Sequence, residues 1–194
     1  MNTLSFTAKF LQSRPIPRNT NDNTFVRVSV VELEKGNTSD VEALSEISEK
    51  WNKKGRSYAH EIFQEFTNKY TDEDVVSEHY LALTTQKSNF EHLEPEKILG
   101  VSLLYETIGE GNELGWLSVD PENNTGNQGK QKYRHIGTTI LNCLKEIYSP
   151  ERIKVTAVNG TENFYKNNGF EQYSSGGFYW SNKPKSNVRQ IGIA

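Results

Sequence analysis

The chain has 194 residues, enough for one domain with a substantial core, and its 22 Lys and Arg against 25 Asp and Glu leave a net charge of −3. That balance supplies no basic field for nucleic acid, and no apolar stretch approaches the ~20 residues that span a bilayer. Nine Tyr, nine Phe and three Trp argue against disorder, and a single cysteine, Cys143, excludes an intrachain disulfide and suits a reducing compartment.

Met1 to Phe10 has no charged n-region followed by a long apolar run, so no signal peptide is expected and a cytoplasmic location is. Residues 3–11 alternate roughly as a strand, 13–23 (SRPIPRNTNDN) are rich in turn formers, and 25–33 (FVRVSVVEL) form a β-branched strand. Ser39 and Glu42 have the spacing of a capping box. Val41, Leu44, Ile47 and Trp51 follow at helical spacing, which predicts a helix over 39–53. After the break KKGRS, Tyr58, Ile62, Phe63, Phe66 and Tyr70 mark a second helical face, best read as core. Strands are predicted near 79–85, at 98–108 and at 113–119, the last two joined by a glycine turn and ended by Asp120-Pro121. Residues 122–132 (ENNTGNQGKQK) read as loop and 137–148 as a helix with Ile140, Leu141, Leu144 and Ile147 buried. A strand over 152–158, a short helix ending at Gly169 and a strand around 178–180 follow, then a polar tail from 183. Strand 113–119, helix 137–148 and strand 152–158 make a βαβ unit, whose strands should run parallel. One domain over 1–182 is expected, with 1–24 as an N-terminal extension. His60, His79, His92 and His135 show no metal-ligand spacing.

Three segments of the second half stand in order: ELGWLSVDP (113–121), KYRHIGTTILNCL (132–144) and NFYKNNGF (163–170). Together they resemble the Gcn5-related N-acetyltransferase family, in its central strand, its pyrophosphate-binding turn and helix, and its aromatic-Tyr-x-x-x-Gly-Phe helix end. The resemblance covers residues 97–180; the first half matches only in element order. It implies an α/β (α+β) fold: a mixed, mostly antiparallel central sheet with flanking helices and the parallel βαβ unit at the acyl-CoA site. It also implies acetyl-CoA as co-substrate, a primary amine as acceptor and no metal.

Physics supports the second segment on its own. A helix start presents free N–H groups and the positive end of a dipole, about half a charge, which suits a pyrophosphate. Gly137, Thr138 and Thr139 are small enough to let phosphate oxygens approach, and Lys132 and Arg134 add charge. Two registers fit the family pattern. In the preferred one Gly137 is the last glycine, Ile136-Gly137-Thr138 matches the common step, and His135 stands where a glycine is usual. In the other, Arg134 leads the motif and Thr139 is the second small residue.

Acylating an amine requires a free lone pair, a donor for the oxyanion and a proton for the thiolate. The resemblance implies a carboxylate acting through water at Glu113, with Glu106 and Asp120 as rivals. Strict alternation puts Glu113, Gly115, Leu117 and Val119 on one strand face, with Gly115 leaving space for substrate. It further implies that the backbone of Leu117, Ser118 and Val119 pairs with the pantetheine arm, that Tyr165 is general acid to the sulfur, and that Asn159 or Asn163 binds the arm. Trp51, Tyr58, His60 and the acidic stretch 91–96 are candidate acceptor contacts. A non-catalytic acyl-CoA-binding or interaction module is the alternative. Nucleic acid is the least favoured partner, and a homodimer stays open.

Overall fold

The computed structural model describes residues 8–19, 24–55, 57–70, 72–109, 111–123 and 131–182. Eight strands make one sheet in the order β1-β2-β3-β4-β5-β6-β8-β7. They are β1 (Lys9–Pro17), β2 (Phe25–Leu33), β3 (Val75–Thr84), β4 (Ile98–Thr107), β5 (Gly111–Val119), β6 (Arg152–Thr156), β7 (Glu171–Gln172) and β8 (Gly177–Ser181). All neighbouring pairs are antiparallel except β5 with β6. Four α-helices accompany them: α1 (Thr38–Lys54), α2 (Ala59–Thr67), α3 (Ile136–Ile147) and α4 (Glu162–Asn167). The architecture is the one the resemblance implies.

Both sheet faces are covered, which explains why Ile98–Leu104 of β4 is buried without interruption. On one face, Leu44, Ile47 and Trp51 of α1 and Ile62 and Phe66 of α2 pack on Val101, Leu103 and Tyr80. On the other, Ile140, Leu141 and Leu144 of α3 pack on Leu83, Leu104 and Leu114. Gly100 lets α3 come this close, since a Cβ there would stand 2.8 Å from Ile140 Cδ1. Trp51, expected as an acceptor contact, is 1% exposed and belongs to the first of these cores.

The first strand departs from expectation. It runs through Arg14-Pro15-Ile16-Pro17, a stretch read as turn-forming. Prolines are tolerated because β1 is an edge strand, where alternate N–H groups point away from the partner. Of the expected strand over 3–11, residues 3–7 lie outside the described residues, as do the tail from 183 and most of the loop before α3.

The start of α1 also differs. Asn37, not Ser39, is the cap: its Oδ1 accepts the N–H of Asp40 at 3.1 Å. Asp40 is fully buried, and its Oδ2 accepts the Glu34 N–H at 2.9 Å. Its Oδ1 has no partner among the described residues. Burial pushes this carboxyl from 3.8 up to about 6. The fold therefore binds a proton here more tightly than the unfolded chain does. Wild type should gain stability relative to Asp40→Asn as pH falls from 7 through 6, with the gain complete below 3.8 and worth about 3 kcal/mol at most. Denaturant midpoints of both proteins between pH 4 and 7 measure this; a constant difference would refute it.

Candidate functional site

The site begins with a break in β5. Leu103 pairs with Trp116 but Leu104 with Leu114, so Gly115 is an extra residue without a partner on β4. Strand alternation resets there. Leu114, Leu117 and Val119 pack toward α3, whereas Trp116 packs toward α1 and α2. Glu113, adjacent to Leu114 and paired with Tyr105, lies on the Trp116 side. The expectation that Glu113, Gly115, Leu117 and Val119 share a face is thus overturned by the bulge. Nor does Gly115 leave room for substrate: a Cβ there would meet Tyr105 Cε2 at 2.4 Å, so the tyrosine ring already fills that space.

Beyond the bulge β5 leaves its parallel neighbour. The pairing with β6 covers only Asn112↔Ile153 and Glu113↔Lys154, while β5 runs on to Val119. The wedge between them opens into a cleft of about 830 Å³. One wall is Leu117–Val119; the facing wall is Val158–Thr161 with Phe164 and Tyr165. The start of α3 closes one end, and Ser57 and Tyr58, from the α1–α2 connection, stand at the cleft as well.

At the α3 end, the chain is fastened before the helix begins. Asn123 Oδ1 accepts the N–H groups of Lys132 and Tyr133 at 3.1 and 3.0 Å, and the Arg134 N–H donates to Pro17 O at 2.9 Å. Arg134 Nε–H donates to Asn19 Oδ1 at 2.6 Å. His135 then turns the chain with φ 59° and ψ 23°, the left-handed region that glycine favours. The first helical bond runs from the Thr139 N–H to His135 O at 2.8 Å, and the Thr139 hydroxyl donates to the same oxygen. No side chain caps this helix start, and the N–H groups of Ile136, Gly137 and Thr138 have no acceptor among the described residues. They leave a polarised row of donors of the kind that favours anions. The Cβ side of Gly137 is not open: it faces Phe164 Cζ at 3.1 Å, so the glycine serves close packing of Phe164 under the helix start.

Across the cleft, Tyr165 is 8% exposed and packs edge-on against Phe164 and Phe170. Burial, with a smaller contribution from the nearby Tyr58, pushes its phenol up to about 12. It is a neutral proton donor at neutral pH. Tyr58 stacks on Trp116 with centroids 5.2 Å apart, and its N–H donates to Ser118 Oγ at 3.2 Å.

Of the residues expected at the site, the fold brings Leu117, Ser118, Val119, Arg134, His135, Ile136, Gly137, Thr138, Asn159 and Tyr165 to the cleft wall. Glu113, Lys132 and Asn163 are exposed and off that wall, and half-buried Thr139 is off it too. The rivals to Glu113 are engaged elsewhere. Asp120 accepts from the Glu122 N–H and Asn123 Nδ2, which shapes the turn after β5, and Glu106 accepts from Ser77. His60 bonds Ser48 and Gln64. Sequence reasoning missed Ser57, Gly160, Thr161, Asn167 and Asn168 at the cleft. The only signal for Ser57 was the helix break KKGRS, and nothing in it points to a contact 61 residues away. Among the described residues, no group of His, Cys, Asp and Glu could hold a metal ion, and no helix is long and apolar enough to cross a membrane.

The left-handed turn at His135 makes a direct prediction. His135→Val, β-branched at positive φ, should lower stability by about 1–2 kcal/mol, while His135→Gly should stay within about 1 kcal/mol of wild type. Thermal unfolding of the two variants checks this, and equal losses would refute it.

No family profile matches the chain, and no curated protein matches it. Among solved structures it is similar to a provisionally assigned acyl-CoA N-acyltransferase from Klebsiella pneumoniae subsp. pneumoniae MGH 78578 (11% identity, TM-score 0.45, covering 78% of this chain and 94% of that one). It is also similar to Tetrahymena GCN5 (17%, 0.44, covering 88% and 96%). A third is the catalytic domain of Tetrahymena GCN5 histone acetyltransferase in complex with coenzyme A (14%, 0.47, covering 82% and 95%). The cleft itself carries the functional reading.

Proposed function

We propose that the chain is an N-acyltransferase that moves an acetyl group from acetyl-CoA to a primary amine by direct attack in a ternary complex. One observation carries this: the uncapped amides of Ile136–Thr138 stand at one end of a cleft whose wall is a strand segment, Leu117–Val119, paired with β4 but left without a neighbour on its β6 side. The amides would hold the diphosphate, with the Arg134 guanidinium beside them. The free ladder groups of Leu117–Val119 would bond the pantetheine arm as an added strand does, and Asn159 lies on the opposite wall.

In the reaction the amine nitrogen bonds the thioester carbon, and the carbon–sulfur bond breaks with its electrons on sulfur. Tyr165 gives its proton to that sulfur and is reprotonated from solvent. Glu113, on the sheet face shared with Trp116, takes the proton lost by the amine through intervening water. The acceptor accordingly enters from the α1–α2 side, past Tyr58. An observation favours the second reading, a non-catalytic acyl-CoA-binding module: none of the described residues lining the cleft is a carboxylate.

Thermal unfolding with CoA and acetyl-CoA tests the binding site. At 100 times the dissociation constant, stabilisation of about 2.7 kcal/mol is expected; no shift with either ligand would refute both readings. Turnover is then read as CoA thiol released from acetyl-CoA over a panel of primary amines. Tyr165→Phe should lower kcat about a hundredfold or more with acetyl-CoA affinity retained. Glu113→Gln should do the same and steepen the rate's dependence on pH. Unchanged turnover in both would remove those roles, and binding without turnover by wild type would favour the module.

A further inference from the structure

The cleft holds a polar pair that none of these roles uses. Ser118, 4% exposed on β5, and Ser57, on the α1–α2 connection, have their hydroxyl oxygens 3.0 Å apart. Ser118 Oγ also accepts the Tyr58 N–H at 3.2 Å, and Ser57 Oγ accepts the Ala59 N–H at 3.1 Å. Two hydroxyls carry two protons, and the bond between them uses one. Whichever serine does not donate keeps a proton with no acceptor among the described residues. Both serines line the cleft, as does Tyr165. The spare donor and the proposed acid therefore open onto the same space.

We infer that Ser118 is a further catalytic residue, whose hydroxyl donates to the carbonyl oxygen of the thioester and to the oxyanion that forms there. Ser57 is a positioning residue: it donates to Ser118 Oγ and so turns the Ser118 proton toward the cleft. The Tyr58 N–H, on the same oxygen, strengthens Ser118 as a donor, because hydrogen bonds in a chain polarise one another. No bond of either serine is made or broken; the proton stays on Ser118 throughout. This inference rests on the transferase reading.

The test needs no acceptor. Acetyl-CoA and S-ethyl-CoA differ at the carbonyl oxygen, which the thioether lacks. Titration calorimetry should show wild type binding acetyl-CoA about fivefold to tenfold tighter than S-ethyl-CoA, the worth of one hydrogen bond. Ser118→Ala should bring that ratio to about one and leave CoA affinity within about twofold, while Ser118→Thr, which keeps the hydroxyl, should restore the ratio. Where Ser118→Ala fails to fold, Ser118→Cys, of similar shape and a weak donor, makes the same comparison. A ratio unchanged in the variant overturns the inference. So does a wild type that binds both ligands equally, and that result leaves the transferase reading standing. Wild type that binds neither ligand removes both.

Discussion

Everything at the cleft depends on β5 parting from β6 after two residue pairs. A strand that stayed in the ladder to Val119 would have its backbone groups spent on its neighbour. The bulge at Gly115 locally strengthens the twist and turns the second half of the strand away. Tyr105 holds it in place, since its ring lies where any larger residue at 115 would need to be. The result is a stretch of peptide paired with β4 on one edge and without a strand partner on the other, beside an apolar core that fixes its position.

The second half of the site is a helix end, set by constraints of the same kind. Gly100 lets α3 lie close on β4, and Gly137 lets Phe164 fit beneath the first turn. The preceding residues are tied to Asn123 and to the end of β1, so the helix start is held from both sides. Oriented donors held this way need little reorganisation when a charge arrives, which is the main advantage a protein has over water in stabilising an anion.

How much of this was legible depends on whether the signal was local. Strand 25–33 and the helices at 38–54 and 136–147 follow from hydrophobic periodicity, because each buries a face against the sheet. The motif around Gly137 was readable because a helix start is built from consecutive residues. Pro15 and Pro17 misled because turn and edge strand share the same composition, and only the sheet order separates them. Asn37 and Ser39 are about equally good caps, so residue type alone does not separate them. The face of β5 was misread because a bulge leaves a single glycine as its trace and period-two counting runs straight through it. Ser57 was invisible for a different reason: its partner is set by how the α1–α2 connection lies on the sheet, a fact of tertiary packing.

The two prolines in β1 have a consequence for how copies of the chain meet. An open sheet margin is a template for another strand, and a long unprotected one invites polymerisation. Here one margin lacks donors at alternate positions of its C-terminal half, and the other is a strand of only two residues, Glu171–Gln172. Neither rim offers a continuous row of partners to an incoming backbone. Among the described residues, sheet extension is therefore disfavoured along the C-terminal half of β1 and at β7.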